Sequence, residues 1–424
     1  MSNTLNGELG SLVQSGGGKI HTGPFGSQLH ASDYVAEGIP CIMPANMKNS
    51  RVDLSNIAYI TVGDAQRLSK YIVKENDIVY SRRGDVTQKA LIRKNEEGYF
   101  CGTGCLLIRP GKKFDARFLT YYLSIPKIQS WIVSQAVGAT MPNLNTGILS
   151  SIPFHGPEKL EQERVANVLS AIEGKIELNN RINAELEAMA KTLYDYWFVQ
   201  FDFPDDSPQG QGKPYKTSGG KMVYNPTLKR EIPEGWEDTP LSSITGVSND
   251  SINPADYPEK LFKHFSIPVF DATNTFGVER GDTIGSNKFT VEETDLLVSK
   301  LNPWFNRVVY AMVEPEQICS TEFVVWRCPN TSIKNFMYMI ATSPQFIAHC
   351  TQSATGTSNS HKRVNPNVMM RFDQPFNLKV AEKLGQHLEP ILKQLIVNQR
   401  ENTKLASLRD WLLPMLMNGQ VTVK

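Results

Sequence analysis

No stretch of the 424-residue chain approaches the roughly 18 consecutive apolar residues that a membrane-spanning helix requires. The opening MSNTLNGELG has neither the basic region nor the apolar core of a secretory leader, so none is expected. Cysteine is sparse: six residues, scattered without a regular framework, fit reduced thiols in the cytoplasm. Cys101 and Cys105 form a CxxxC pair, but no second Cys or His pair follows at zinc-binding spacing, so no metal site is expected. Net charge is almost absent, at +1. Residues 1–150 hold 16 Lys and Arg against 11 Asp and Glu, and residues 241–380 hold 12 against 13. Bulk charge therefore excludes nothing and supports nothing about nucleic acid, and any such contact must come from local clusters.

Phosphate-binding motifs are missing too. GGGK (16–19) is followed by Ile20 and GGK (219–221) by Met222, where a Walker A loop needs Ser or Thr. LNPWF (301–305) superficially resembles the Asn-Pro-Pro-Phe motif of amino methyltransferases. No Gly-rich strand–turn–helix lies upstream to hold S-adenosylmethionine, and no acidic cluster has nuclease spacing. A catalytic DNA adenine methyltransferase is thus the weaker reading.

What the sequence does contain is itself, twice. NDIVYSRRG (76–84) returns as TDLLVSKLN (294–302), offset by 218. FCGTGCLLIRP (100–110) pairs with CSTEFVVWRCP (319–329), FLTYYLSIP (118–126) with FMYMIATSP (336–344), and SQAVGAT (134–140) with QSATGTS (352–358). NNRIN (179–183) pairs with NQREN (398–402), offset by 219. Each copy begins with short β-rich runs and a helical segment, the mixed pattern of an α/β unit. Each ends in a long helical stretch, the first without internal proline and the second containing Pro390 and Pro414, expected to kink it. The first spans about 60 Å at 1.5 Å per residue.

Heptads predict a seam on both helices. On the first, Val165, Ile172, Asn179, Leu186 and Leu193 take a positions and Val168, Lys175, Ile182, Met189 and Tyr196 take d, with Leu169 and Ile176 widening the stripe. On the second, Leu384, Ile391, Asn398, Leu405 and Leu412 take a, and His387, Gln394, Glu401, Leu408 and Met415 take d. A seam Asn costs stability but fixes register. The two polar breaks are therefore expected to meet near the middle of an antiparallel pair and help set its register, while contact between Asn179 and Asn398 themselves stays open. The alternative is that each helix packs only on its own globular unit.

The predicted organisation is a first globular domain (1–157), a helix (158–200), an extended linker rich in Pro, Gly, Ser and charge (201–236), a second globular domain (237–379) and a second helix (380–424). Polar loops are the candidate contact sites. SRRGD (81–85) offers Arg82 and Arg83 just after a strand. Its counterpart SKLNPWFNR offers Lys300, Asn302 and Arg307. GTSNSHKRVN offers Thr357, Ser358, Asn359, Ser360, His361, Lys362 and Arg363; its partner GATMPNLN offers Thr140 and Asn143. GPFGSQL (23–29) adds Ser27 and Gln28 beside an exposed-looking Phe. Arg is the commonest reader of guanine and a strong phosphate ligand, so these loops suit DNA, although solvated surface charge is the plainer alternative.

The order of parts resembles the specificity subunit of type I restriction–modification enzymes over essentially the whole chain. The residues carrying the resemblance are GPFGSQLHASDYVAEGIPCIMPANM (23–47), the helix PEKLEQERVANVLSAIEGKIELNNRINAELEAMAKTLYDYWF (157–198), SIPVFDATNT (266–275), SKLNPWFNRVVYAM (299–312), STEFVVW (320–326), GTSNSHKRVN (356–365) and LRDWLLPMLMNGQV (408–421). The resemblance implies a mixed α/β fold. Two target-recognition domains, each reading half of an asymmetric bipartite site in double-stranded DNA, are joined by two long antiparallel coiled-coil helices with internal pseudo-twofold symmetry. It implies a non-catalytic chain that binds no cofactor. Its partners would be two methyltransferase subunits and, in the full complex, restriction subunits; S-adenosylmethionine, ATP and Mg²⁺ belong to them. A coiled-coil scaffold that binds only protein would explain the helices but not the diverged, loop-rich globular units.

Overall fold

The computed structural model describes residues 4–138, 142–356 and 361–423. The chain forms two compact units, Met1–Gly174 with Leu405–Lys424, and Lys175–Lys404. Among the described residues no helix is long and apolar enough to cross a membrane.

In the first unit, strands Lys19–Thr22, Cys105–Arg109, Ile78–Ser81 and Lys89–Leu91 form an antiparallel sheet in that order. A second sheet runs Phe100–Cys101, Ile39–Ile42, Ala58–Ile60, Tyr34–Val35, with its first two strands parallel. IVYS is buried on both faces because alternate side chains enter different cores. Ile78 and Tyr80 pack with Phe118, Leu119 and Ile132 of the helices Ala116–Tyr122 and Pro126–Gln135. Val79 packs with Cys41, Ile60 and Phe100 of the second sheet. Each such aliphatic side chain contributes about 1.5–3 kcal/mol by leaving water.

The second unit repeats this plan. Gly246–Ser248, Phe323–Arg327, Asp295–Ser299 and Val308–Tyr310 form the antiparallel sheet. The second sheet has five strands and again one parallel pair, Leu261–Phe265 with Gln317–Cys319. Helices Thr331–Ala341 and Pro344–Ser353 match the first unit's pair. Even a buried ion pair recurs at the 218 offset. Arg109 grips Asp77 at 2.6 and 2.8 Å, and Arg327 grips Asp295 at 3.0 Å through both nitrogens. Both carboxylates also accept a backbone N–H three residues upstream, from Lys74 and Glu292.

The long helices span Lys159–Tyr194 and Leu378–Met417, the second continuing through Pro390 and Pro414 as one element. Within the second unit they run antiparallel. Asn179 bonds Glu401 and Asn402, while Asn183 bonds Asn398 and the carbonyl of Leu395. The d positions expected from the sequence are corrected: Lys175, Ile182, Met189, Tyr196, His387, Gln394 and Leu408 are exposed. The seam instead follows the expected a residues and those four further on, including Leu169, Asn183, Ala190, Leu388 and Leu395. Ile182 is apolar and Asn183 polar, and hydropathy alone favoured the wrong one of these neighbours.

Residues 201–236, expected as an extended linker, are folded. Met222–Asn225 and Arg230–Pro233 form a hairpin. Phe201, Phe203, Ile232 and Trp236 enter the second unit's core beside Trp197 and Phe198. The Trp236 ring lies 5.1 Å from both Phe198 and Phe203, centroid to centroid. Arg230 donates to the carbonyl of Val199 at 2.7 Å, satisfying a group left open where the helix ends. Four large apolar anchors outweigh the polar composition around them.

Candidate nucleic-acid interface

Both units build one loop scaffold from backbone bonds. In the first, Ser81 ends its strand by donating its hydroxyl to the carbonyl of Arg83 at 2.9 Å. Arg82 N–H donates to Gly104 and its carbonyl accepts from Leu144, both at 2.8 Å. Arg83 then bridges Asn143, which also pairs antiparallel with Val137. In the second, Ser299 bonds the carbonyl of Leu301 at 3.1 Å. Lys300 N–H donates to Glu322 and its carbonyl accepts from Val364, both at 3.0 Å. Leu301 bridges Arg363, which pairs with Thr355. Arg83 and Asn143 thus correspond to Leu301 and Arg363: one frame, different side chains.

The side chains differ in availability. Arg83 is exposed, and among the described residues no hydrogen bond or ion pair holds its guanidinium. Arg82 is half-buried with its guanidinium 5.4 Å from the Phe25 ring centroid, and its Nε has no acceptor. The Asn143 side-chain oxygen is likewise buried without a partner. Ser27 is exposed, whereas Gln28 accepts from the Tyr71 hydroxyl at 2.9 Å and serves the loop itself.

In the second unit, Asn302 is buried with φ +47°. Its N–H donates to the carbonyl of Lys362 at 2.7 Å, and its side-chain oxygen accepts from the N–H of Lys362 at 3.0 Å. Asn302 therefore shapes the loop rather than facing out of it. Arg307 is committed to Asp271, with an Nη2–Oδ2 distance of 2.8 Å, and lies 4.6 Å from the Phe305 ring centroid. Arg363 is exposed yet held by both oxygens of Glu322, which raises its pKa above the usual guanidinium value. Lys300 and Lys362 are half-buried and His361 is exposed. Thr140, Thr357, Ser358, Asn359 and Ser360 lie outside the described residues. Glu322 and Asp271, the carboxylates that orient the two arginines, went unread because their partners lie 41 and 36 residues away in sequence.

Residues 18–188 match the family described as the Type I restriction modification DNA specificity domain. The chain is 24% identical over 416 residues to the MjaIX type I restriction enzyme specificity subunit of Methanocaldococcus jannaschii, covering 92% of this chain and 89% of that one. It is 26% identical over 161 residues to the HindI specificity subunit of Haemophilus influenzae, 37% of this chain and 34% of the relative. The crystal structure of the type I S subunit from M. genitalium superposes with a TM-score of 0.63 at 16% identity, covering 98% of this chain and 96% of that one.

Residues 18–188 are matched to the type I restriction–modification DNA specificity domain, and the chain is similar to type I specificity subunits along nine-tenths of its length. The methyltransferase-like LNPWF is a loop segment of the repeat, with Asn302 tied to Lys362.

Proposed function

We propose that this chain is a specificity subunit that reads an asymmetric bipartite duplex, one half-site per unit. The first half-site falls to Arg82, Arg83, Asn143 and the loop that contains Thr140. The second falls to Lys300, Lys362, Arg363 and the loop of residues 357–361. One observation carries the reading: the same backbone frame holds Arg83 and Asn143 in one unit and Leu301 and Arg363 in the other. A shared frame with different donors is what two unlike half-sites require, because base edges are told apart by donor and acceptor pattern. The helices set the unread gap, as subunit spacing does for dimeric repressors. The pseudo-twofold repeat offers equivalent docking positions to two methyltransferase subunits, with restriction subunits joining the full complex. S-adenosylmethionine, ATP and Mg²⁺ act in those partners, this chain holds none of them, and the assembly works in the cytoplasm.

The test is selection from a random duplex library by the chain assembled with its methyltransferase partner. Enrichment of two unlike short motifs at one fixed separation is expected. Recovery of no motif, or of a single continuous one, would overturn the bipartite reading.

A further inference from the structure

The first unit contains a polar cavity of about 350 Å³ that none of the loop contacts uses. Its walls include Lys48, Asn49, Gln88, Lys89, Ser124 and Gln129. Lys89 is the unusual member. It begins the edge strand Lys89–Leu91, and only 4% of it is exposed. Among the described residues its ammonium makes one hydrogen bond, to the carbonyl of Thr87, stretched to 3.5 Å, and it sits 6.0 Å from the Tyr80 ring centroid. The neighbouring carboxylate of Asp85 is spent on Thr87 and Gln88 and makes no bond to it. At the mouth, Lys48 is paired with Asp53. Tyr80, directly across the strand pair from Lys89, has a buried hydroxyl with no partner. A buried ammonium normally has its donors matched by acceptors. Here one buried cation, short of hydrogen-bond acceptors, lines a cavity whose exposed Asn49 and half-buried Gln129 amides have no partner among the described residues. Burial pulls Lys89 down to about 8, which still leaves most of it charged at neutral pH. The second unit has Val298 opposite Val308 at the matching positions, so the arrangement belongs to the first unit alone.

We propose that this cavity is an oxyanion site that takes one phosphate group, with Lys89 as its buried cation and Gln129 and Asn49 as neutral donors. The phosphate has two sources. Lys89 lies on the return strand of the loop that carries Arg82 and Arg83, so a backbone phosphate beside the first half-site is one. Free phosphate is the other.

The test uses the full chain with its methyltransferase partner and two variants, Lys89→Met and Gln129→Ala. Inorganic phosphate is titrated calorimetrically at constant ionic strength without DNA, and duplex affinity is measured against salt. Binding of inorganic phosphate that weakens at least tenfold in both variants supports the site with a free ligand. No such binding, together with a salt slope about one unit shallower for Lys89→Met, supports a DNA phosphate; a duplex with one neutral methylphosphonate flanking the first half-site should then reproduce that loss. If neither phosphate binding nor the salt slope depends on Lys89, the proposal fails. Should Lys89→Met not fold, Gln129→Ala, which removes only a half-buried amide, decides by the phosphate titration and by duplex affinity at fixed salt; no change in either overturns the site.

Discussion

Asn398 donates its side-chain amide to the side-chain oxygen of Asn183 at 2.9 Å, and both residues are buried. The bond has a mate: Asn179 donates to Asn402, also at 2.9 Å. The 219 offset that carries Asn179 to Asn398 carries Asn183 to Asn402, so the two bonds are copies of one another. Asn179 and Asn398 do not bond each other, which decides a point that the sequence left open. In an antiparallel pair related by a twofold, a residue meets the mate of its neighbour one turn on. Asn-x-Arg-x-Asn, read as a unit, is the register device.

Removing one member should therefore cost more than removing both. Asn398→Leu leaves the buried side-chain oxygen of Asn183 without its donor, a loss of about 1–3 kcal/mol. Asn183→Leu with Asn398→Leu should recover most of it, because paired apolar replacements are often near neutral. Specificity should suffer instead: the double variant should enrich DNA sites with more than one gap length. Urea denaturation reads the first effect and library selection the second. A double variant with a single gap would show that these amides do not set register.

Lengthening both helices tests the spacing role. A matched insertion of four residues beside Asn179 and beside Asn398 adds about 6 Å of helix. At roughly 3.4 Å per base pair the unread gap should grow by about two base pairs, with both half-sites unchanged. Mapping of methylated sites in cells carrying the variant gives the answer. A changed half-site motif would count against the helices as spacers.

Much of this was legible before any coordinates. The 218 offset located two central strands, the helical segment after them and the matched loops in each unit, because strands such as IVYS and DLLVS must keep their buried pattern while surface loops diverge. Asp77 and Arg109 sat inside quoted repeats, yet their pairing needed the sheet register that places neighbouring strands. The misread parts share one cause. Ile182 against Asn183, and the polar run around Phe201, Phe203 and Trp236, were judged by hydropathy, which does not say which side chain faces a neighbour. Within the loops, nothing in sequence spacing told Arg83, left free, from Arg307 and Arg363, bound to carboxylates.

The repeated ion pairs should be structural and local. Arg109→Met strands Asp77, whose side chain is 2% exposed, and should cost on the order of 3–5 kcal/mol. Arg327→Met strands Asp295 in the same way in the second unit. Hydrogen exchange should show loosened amides confined to the unit mutated. Loosening spread equally over both units would contradict two separately packed cores.

Acid should loosen the seam. Asn179 and Lys175 bond Glu401 and hold its carboxyl below the usual glutamate range. A folded-state value lower than the unfolded one gives stability that is present above the unfolded value and lost as pH falls through the folded one. The contribution is thus complete at neutral pH and should fade only below the ordinary glutamate pKa. Glu401→Gln should flatten that acid limb while leaving stability near pH 7 little changed, since the site is open to solvent. Denaturation midpoints of the two proteins across the acid range provide the measurement, and parallel curves would exclude the role.

Arg83 gives the sharpest test of the loops. Among the described residues it is the exposed guanidinium that the first unit leaves uncommitted, where Arg363 in the second is already engaged by Glu322. If it reads a base, Arg83→Ala should cost about 1–3 kcal/mol and relax selectivity at one position of the first half-site. A phosphate contact would instead weaken all duplexes alike and reduce the salt slope by about one. Glu322→Gln should act oppositely in the second unit: with its carboxylate gone, Arg363 is released, and affinity should rise across sequences as selectivity at the second half-site falls. Selection from randomised duplexes at two salt concentrations separates these outcomes. Loss of selectivity at the second half-site in Arg83→Ala would break the assignment of one half-site to each unit.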